Sequence, residues 1–236
     1  MERVKTGING LDELIQGGIP KGSSVLISGA NGSGKSILSM QYIYEGAKQF
    51  QDPGLFVTVE SNVKTIAWNM ESFDWDIANL QDKDLMSIYR VRSFGDSSPD
   101  KMTARLDAEF GVIEDKVKEI GAKRLVVDST TALGVSMERG PFRSLLFGFM
   151  DRLKKLDCTT LLTAETRNIK TEFSAFGVEE FVVDGVIALY FTPPHRSIFV
   201  RKMRGTAHDK NVHPFEITEN GILVKSKEQV LWEAIK

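Results

Sequence analysis

Gly29-Ala30-Asn31-Gly32-Ser33-Gly34-Lys35-Ser36 fits G-x-x-x-x-G-K-[ST], the pattern of a loop that wraps nucleotide phosphates. Its three glycines let successive backbone N–H groups converge on phosphate oxygens, where side chains would obstruct the approach. Lys35 supplies a point charge for the β- and γ-phosphates, and the Ser36 hydroxyl suits Mg²⁺. The pattern recurs by chance, so its surroundings decide the reading. Upstream, Ser24-Val25-Leu26-Ile27-Ser28 reads as a buried strand; downstream, Ser36-Ile37-Leu38-Ser39-Met40-Gln41-Tyr42-Ile43 reads as a helix. Strand, glycine-rich loop and helix in that order predict binding of a nucleoside triphosphate.

Outward from the loop, short apolar runs alternate with helical patterns. Strands are expected at 23–28, 54–59, 86–91, 123–128, 159–164, 185–191, 197–203 and 221–225, with helices at 36–49, 62–73, 99–120 and 141–156. Ser98-Pro99 starts the third helix and Gly121 stops it. Continuous apolar strands such as Arg124-Leu125-Val126-Val127 imply burial on both faces, hence a mostly parallel sheet covered by helices. After about residue 185 strand follows strand, an antiparallel extension along one edge. Length and the lack of a linker favour one domain over 1–225, with a tail at 226–236 that carries Trp232 and is expected to form a short helix.

The 236 residues are 42 % hydrophobic and 26 % charged, with a net charge of −2, which gives no support for constitutive nucleic-acid binding but leaves room for a local patch. No apolar run approaches the ~18 residues of a membrane span, and Met1-Glu2-Arg3-Val4-Lys5 leads into no signal-peptide core, so a cytoplasmic setting without membrane insertion is expected. The single cysteine, Cys158, reads as a packed, reduced thiol.

Lys123-Arg124-Leu125-Val126-Val127-Asp128 has the form of a Walker B strand. In a parallel sheet Asp128 emerges at the edge that carries the phosphate loop, beside Ser36 and its metal; the bland alternative is an aspartate capping the next turn. Leu55-Phe56-Val57-Thr58-Val59-Glu60 brings Glu60 to the same edge, as the group that orients or deprotonates water or as a carboxylate favoured by a helix N-terminus. Glu165 arrives there too, to sense the γ-phosphate or to serve structurally. Ser129-Thr130-Thr131 is a polar turn placed for ligand contacts.

The three histidines, His195, His208 and His213, lack the spacing and cysteine support of a metal site. Lys202-Met203-Arg204-Gly205 puts two cations on one side of a strand before a glycine turn. Spacing leaves two readings open: stabilisers of a triphosphate transition state, or a solvated edge that discourages aggregation.

Several motifs in order give the chain a resemblance. Val4–Ser23, Phe56–Glu60, Ser72-Phe73-Asp74-Trp75-Asp76, Phe176–Val182 and Arg204-Gly205-Thr206-Ala207-His208 make it resemble the KaiC-like group of RecA-superfamily ATPases, of the single-domain archaeal type. The resemblance implies a RecA-like P-loop core assembled as a ring, commonly hexameric, with ATP and Mg²⁺ between subunits. The implied nucleotide contacts are Gly29, Ala30, Asn31, Gly32, Ser33, Gly34, Lys35, Ser36 and Ile37, with Ser72 nearby. From the neighbouring subunit Lys202 and Arg204 reach the phosphates, and Met203, Thr206 and His208 approach the rest of the nucleotide. Thr218 and Glu219 fall at further contact positions. Glu60, Lys35, Arg204 and Lys202 form the implied catalytic set, with Ser36 and Asp128 on the metal.

Departures from the family pattern narrow the function. KaiC has two such domains in tandem and this chain one. The paired glutamates after the second strand are here Glu60-Ser61, which points to slow hydrolysis. The residues that KaiC's second domain phosphorylates have no counterpart at Phe181-Val182-Val183, so circadian autophosphorylation is not expected. The favoured expectation is an ATPase ring that signals to an unidentified protein partner. One alternative is an ATP-gated scaffold with little turnover, such as an accessory protein of archaeal motility. The other is a recombinase paralogue that uses Thr166–Phe173 to hold single-stranded DNA.

Overall fold

Strands buried on both faces must alternate their side chains between two hydrophobic layers, and the central strands of this chain do so. The structure, a computed structural model, describes residues 1–91, 99–134, 137–166 and 172–231. In chain order it begins with β1 (Arg3–Val4), α1 (Leu11–Leu14), β2 (Ile19–Pro20), β3 (Ser24–Gly29), α2 (Lys35–Phe50), β4 (Gly54–Thr58), α3 (Val63–Met70), α4 (Ile77–Asp82) and β5 (Met86–Arg90). There follow α5 (Pro99–Glu119), β6 (Arg124–Asp128), α6 (Thr130–Gly134), α7 (Arg139–Lys154), β7 (Thr159–Glu165) and α8 (Glu179–Val182). Last come β8 (Gly185–Thr192), β9 (His195–Met203), β10 (Val212–Thr218) and β11 (Gly221–Val224).

Among the described residues nine strands form one sheet in the order β11-β10-β9-β8-β3-β7-β6-β4-β5, while β1 and β2 pair separately. From β8 to β5 all neighbours are parallel; β9, β10 and β11 are added antiparallel. The antiparallel extension is therefore present, joined through a β8 that still runs parallel to β3. Val25, Ile27, Phe56 and Val126 pack with α2 on one face. Leu26, Leu55, Val57, Leu125 and Val127 pack with α5 and α7 on the other, where Phe110 and Phe149 stack with centroids 3.8 Å apart.

Local chemistry explains where the sequence expectations shift. Asn62 caps α3, accepting from Thr65 N–H at 2.7 Å. The expected helix over 62–73 nevertheless stops at Met70, because the chain peels away to stack Phe73 on Trp75 (4.6 Å) and Trp75 on Tyr44 of α2 (5.3 Å). Gly121 ends α5 at φ 60° as expected, whereas Ser98, its expected cap, lies outside the described residues. β10 was not expected, since Pro214 cannot donate to a ladder. Residues 226–231 are not helical: Val230 N–H bonds Val212 O at 2.8 Å and docks the tail on β10. Trp232 and the rest of the expected helix lie outside the described residues. Cys158 is buried, and burial pushes its thiol up to about 12. Among the described residues no helix is long and apolar enough to cross a membrane.

Arg124 is fully buried where β6 meets α2. It pairs with Asp52 at 2.9 Å, donates to Tyr42 O at 3.1 Å and lies 4.8 Å from the Tyr42 ring centroid. Gly46 makes room for it, since a Cβ there would stand 2.4 Å from Arg124 Cδ and Nε. Helix propensity alone favours Gly46→Ala by about 1 kcal/mol, but the collision reverses the sign. The variant is expected to lose about 1–3 kcal/mol, read as a lowered urea midpoint.

Candidate functional site

Parallel strands end at a common edge. Gly29 registers with Glu165, and Thr58 with Asp128. At that edge a cleft of about 360 Å³ is lined by Asn31, Gly32, Gly34, Lys35, Ser36 and Ile37, by Glu60, Ser61, Asp128, Ser129 and Glu165, and by Arg196 and Ile217.

The loop needs its glycines. Gly32 and Gly34 have φ of 76° and 103°, and a Cβ on Gly29 would stand 2.5 Å from Ser33 Oγ and 2.6 Å from Leu189 O. Lys35 Nζ bends back over the loop, donating to Gly29 O and Ala30 O, both at 2.9 Å. Burial lowers the Lys35 pKa from 10.5, while the charges of Glu165, Asp128 and Glu60 oppose that shift.

Ser36 Oγ donates to Asp128 Oδ2 at 2.8 Å, and Thr163 donates to the other Asp128 oxygen. This hydroxyl–carboxylate pair fits Mg²⁺, which takes one or two protein oxygens and completes its shell with phosphates and water. The Asp128–Ser129 peptide is cis. Ser129 Oγ donates to Glu60 Oε1 at 3.1 Å, so Glu60 is oriented across the cleft. Thr130 and Thr131 instead turn inward, bonding Thr163 O and Glu165 N–H, each at 2.9 Å. Of that polar turn, only Ser129 lines the cleft.

Arg196 and Ile217 were not singled out in the sequence. Arg196 Nη2 reaches Gly32 O at 3.4 Å, and its guanidinium lies 4.1 Å from the Phe191 ring centroid. The available signal was Pro193-Pro194, which reverses β8 into β9 and returns the next residues to the loop. Ile217 comes from the unexpected β10. Its Cδ1 lies 3.6 Å from where a Cβ on Gly34 would be.

The hairpin of β10 and β11 is fastened to α2 through Gln41, which accepts from Ile222 N–H at 2.7 Å and donates to Ile222 O at 3.3 Å. Thr218 closes the hairpin turn by donating to Gly221 O at 2.9 Å. Glu219 O accepts from Asp74 N–H at 3.2 Å, bringing Glu219 near the segment that carries the exposed Ser72.

Lys202, Met203 and Arg204 lie at the opposite edge, where Gly185 registers with Met203. From Arg196 to Lys202 the strand covers roughly 20 Å at about 3.3 Å per residue. Lys202 Nζ donates to Val183 O at 2.7 Å and Glu180 O at 3.2 Å, while Arg204 Nη1 pairs with Asp184 at 3.1 Å. Both cations thus meet the same short segment, and neither reaches the cleft of its own chain. Met203 is buried; Thr206 accepts from Arg3 at 3.0 Å, and His208 Nδ1 lies 2.8 Å from Asp209 O. His213 is buried between Glu228 O (2.6 Å) and Asp209 (3.2 Å). Residues 167–171 of the expected DNA loop lie outside the described residues.

A family model described as "ATPase: KaiC" matches residues 4–229. The chain is 36 % identical over 233 residues to the circadian clock oscillator protein KaiC of Picosynechococcus sp., covering 94 % of this chain and 44 % of that protein. It thus spans under half the length of such clock relatives. UPF0273 protein MJ1359 of Methanocaldococcus jannaschii is 35 % identical, with 95 % of this chain and 96 % of that protein covered. The crystal structure of the KaiC-like protein PH0186 from Pyrococcus horikoshii OT3 is similar with a TM-score of 0.84 and 36 % identity, covering 94 % of this chain and 98 % of that one.

Asp184 organises the far edge. Burial alone would raise its pKa, but Ser24 N–H, the Lys154 charge, the Ser24 hydroxyl and Arg204 together hold it below 3.8. A depressed native pKa stabilises the fold above the unfolded value, and the gain disappears as pH falls through the native value. Asp184→Asn is expected to cost about 1–3 kcal/mol at neutral pH. Its gap to the wild type should begin to narrow near pH 4 and disappear only at lower pH, in denaturant titrations across pH.

Proposed function

The chain belongs to the KaiC family of ATPases, and we propose that it works as a slow, Mg²⁺-dependent ATPase in a homo-oligomeric, hexameric ring switched by nucleotide state. Residues 1–225 act as one ATPase unit in the cytoplasm, with 226–236 as a C-terminal tail, and the ring signals to a protein partner. The observation that carries this reading is the division of the charged groups between two edges of one sheet. Lys35, Ser36, Asp128 and Glu60 face a common cleft, whereas Lys202 stands roughly 20 Å away along β9 and Arg204 follows just beyond its end. A second copy that lays its far edge over this cleft completes the site.

Each residue then has a distinct task. The backbone of Gly29–Ser36 and the Lys35 ammonium hold the phosphates; Ile37, Ser72, Thr218 and Glu219 surround the remainder of the nucleotide. Arg196 braces the loop from the same chain. Mg²⁺, held through Ser36 and Asp128, would neutralise charge on the phosphate oxygens. Glu60, oriented by Ser129, positions water and accepts its proton. The neighbour's Lys202 and Arg204 stabilise charge that develops on the transferred phosphoryl group, and its Met203 backbone, Thr206 and His208 line the rest of the nucleotide. Slow turnover follows from Ser61, which lines the cleft where a second carboxylate would stand.

Lys35→Ala is expected to abolish Mg²⁺-dependent phosphate release, and Glu60→Gln to reduce it about 10²–10⁴-fold. Mixing Glu60→Gln with Arg204→Ala subunits should restore part of the wild-type rate, because some interfaces pair an intact cleft with an intact cationic edge. Unchanged turnover in both single variants would refute the site, and failure of the mixture to recover would refute its division between subunits.

A further inference from the structure

The segment that follows Arg204 has little of its own to hold it. Gly205 takes φ 66°, and Thr206 N–H reaches back to Met203 O at 3.2 Å. The beginning of the chain supplies the rest. Arg3 Nη1 donates to Thr206 Oγ1 at 3.0 Å, to Gly18 O at 3.0 Å and to Ile15 O at 3.3 Å. Arg3 Nη2 donates to Gly205 O and to Gln16 Oε1, both at 3.2 Å. The same Gln16 oxygen accepts from Ala207 N–H at 3.0 Å, and Leu14 O accepts from Asp209 N–H at 2.8 Å.

The guanidinium therefore ties the end of α1 to the turn beyond β9. All five of these acceptors are neutral, so the fork is used for geometry and its charge is not consumed by a carboxylate among them. Arg3 in turn is fixed by strand pairing, since β1 lies antiparallel to β2 with Arg3 opposite Pro20. The turn it grips starts one residue after Arg204 and leads to His208.

We infer that Arg3 and Gln16 are positioning residues that hold Gly205–His208 in the shape that presents Lys202, Arg204 and His208 to the nucleotide of the adjoining subunit. This inference rests on the divided site proposed above. Arg3 touches no reacting atom; it acts through Gly205 and Thr206, and its loss leaves the phosphate cleft of its own chain intact.

Hydrolysis by mixed assemblies sorts variants by the edge they damage. Arg3→Ala is expected to lower kcat of its own assembly about 10- to 100-fold, the cost of displacing a charge stabiliser by about 1 Å, with KM for ATP little changed. Mixed with Lys35→Ala subunits, which keep an intact far edge, it should regain turnover. Mixed with Arg204→Ala subunits it should regain none, because both lesions lie on one edge. Arg3→Lys, a point charge in place of a fork, should recover only part of kcat. Gln16→Ala removes fewer bonds and should sort with Arg3→Ala; it carries the test if Arg3→Ala does not fold. Full kcat in Arg3→Ala and Gln16→Ala, or recovery of either with Arg204→Ala, overturns the inference and leaves the divided site standing. If Arg204→Ala and Lys35→Ala fail to complement one another, the divided site falls and the inference falls with it.

Discussion

Strands that run parallel in one sheet deliver their carboxyl ends to one side, and this constraint organises the molecule. The ladders that set Gly29 beside Glu165 and Thr58 beside Asp128 place four chain segments, distant in sequence, around one cleft. The loops that carry Asn31, Glu60 and Ser129 start from these adjacent strand ends. The two buried faces of the sheet supply the rigidity, because each central strand feeds alternate side chains to α2 on one face and to α5 and α7 on the other. The close approach at Gly29, which leaves no room for a Cβ, follows from the same packing of β3 against β8.

The antiparallel strands extend this plan in the opposite direction. β9 starts beside the phosphate loop with Arg196 and ends at the far edge with Lys202, so one strand carries a brace for its own cleft and the cations proposed to serve another. Asp184, at the start of β8, holds Ser24 of β3 together with Arg204. The far edge is thus tied directly to the root of the strand that bears the loop.

What was legible in the sequence follows from strand ends. The phosphate loop, Asp128, Glu60 and Glu165 each close an apolar run, and burial on both faces implied a parallel sheet that gathers them. β10 is hidden in the sequence because Pro214 breaks the usual ladder chemistry, and Ile217 is hidden with it. Arg196 was hidden for another reason: its place beside Gly32 depends on the register of an antiparallel pair, which no local pattern states. Thr130 and Thr131 looked available as ligands, but their hydroxyls satisfy backbone groups of β7. The expected helix over 62–73 runs too far because the stacking of Phe73 on Trp75 and of Trp75 on Tyr44 is tertiary.

Gln41 gives the phosphate loop a reach beyond its own cleft. Its amide grips both backbone groups of Ile222, so α2 and the outermost hairpin are spliced together by a side chain as well as by packing. The helix that begins at Lys35 therefore cannot rotate without dragging the margin of the sheet, four strands from β3. That margin is thus fixed to α2 by a residue about two turns along the helix from the glycine-rich loop.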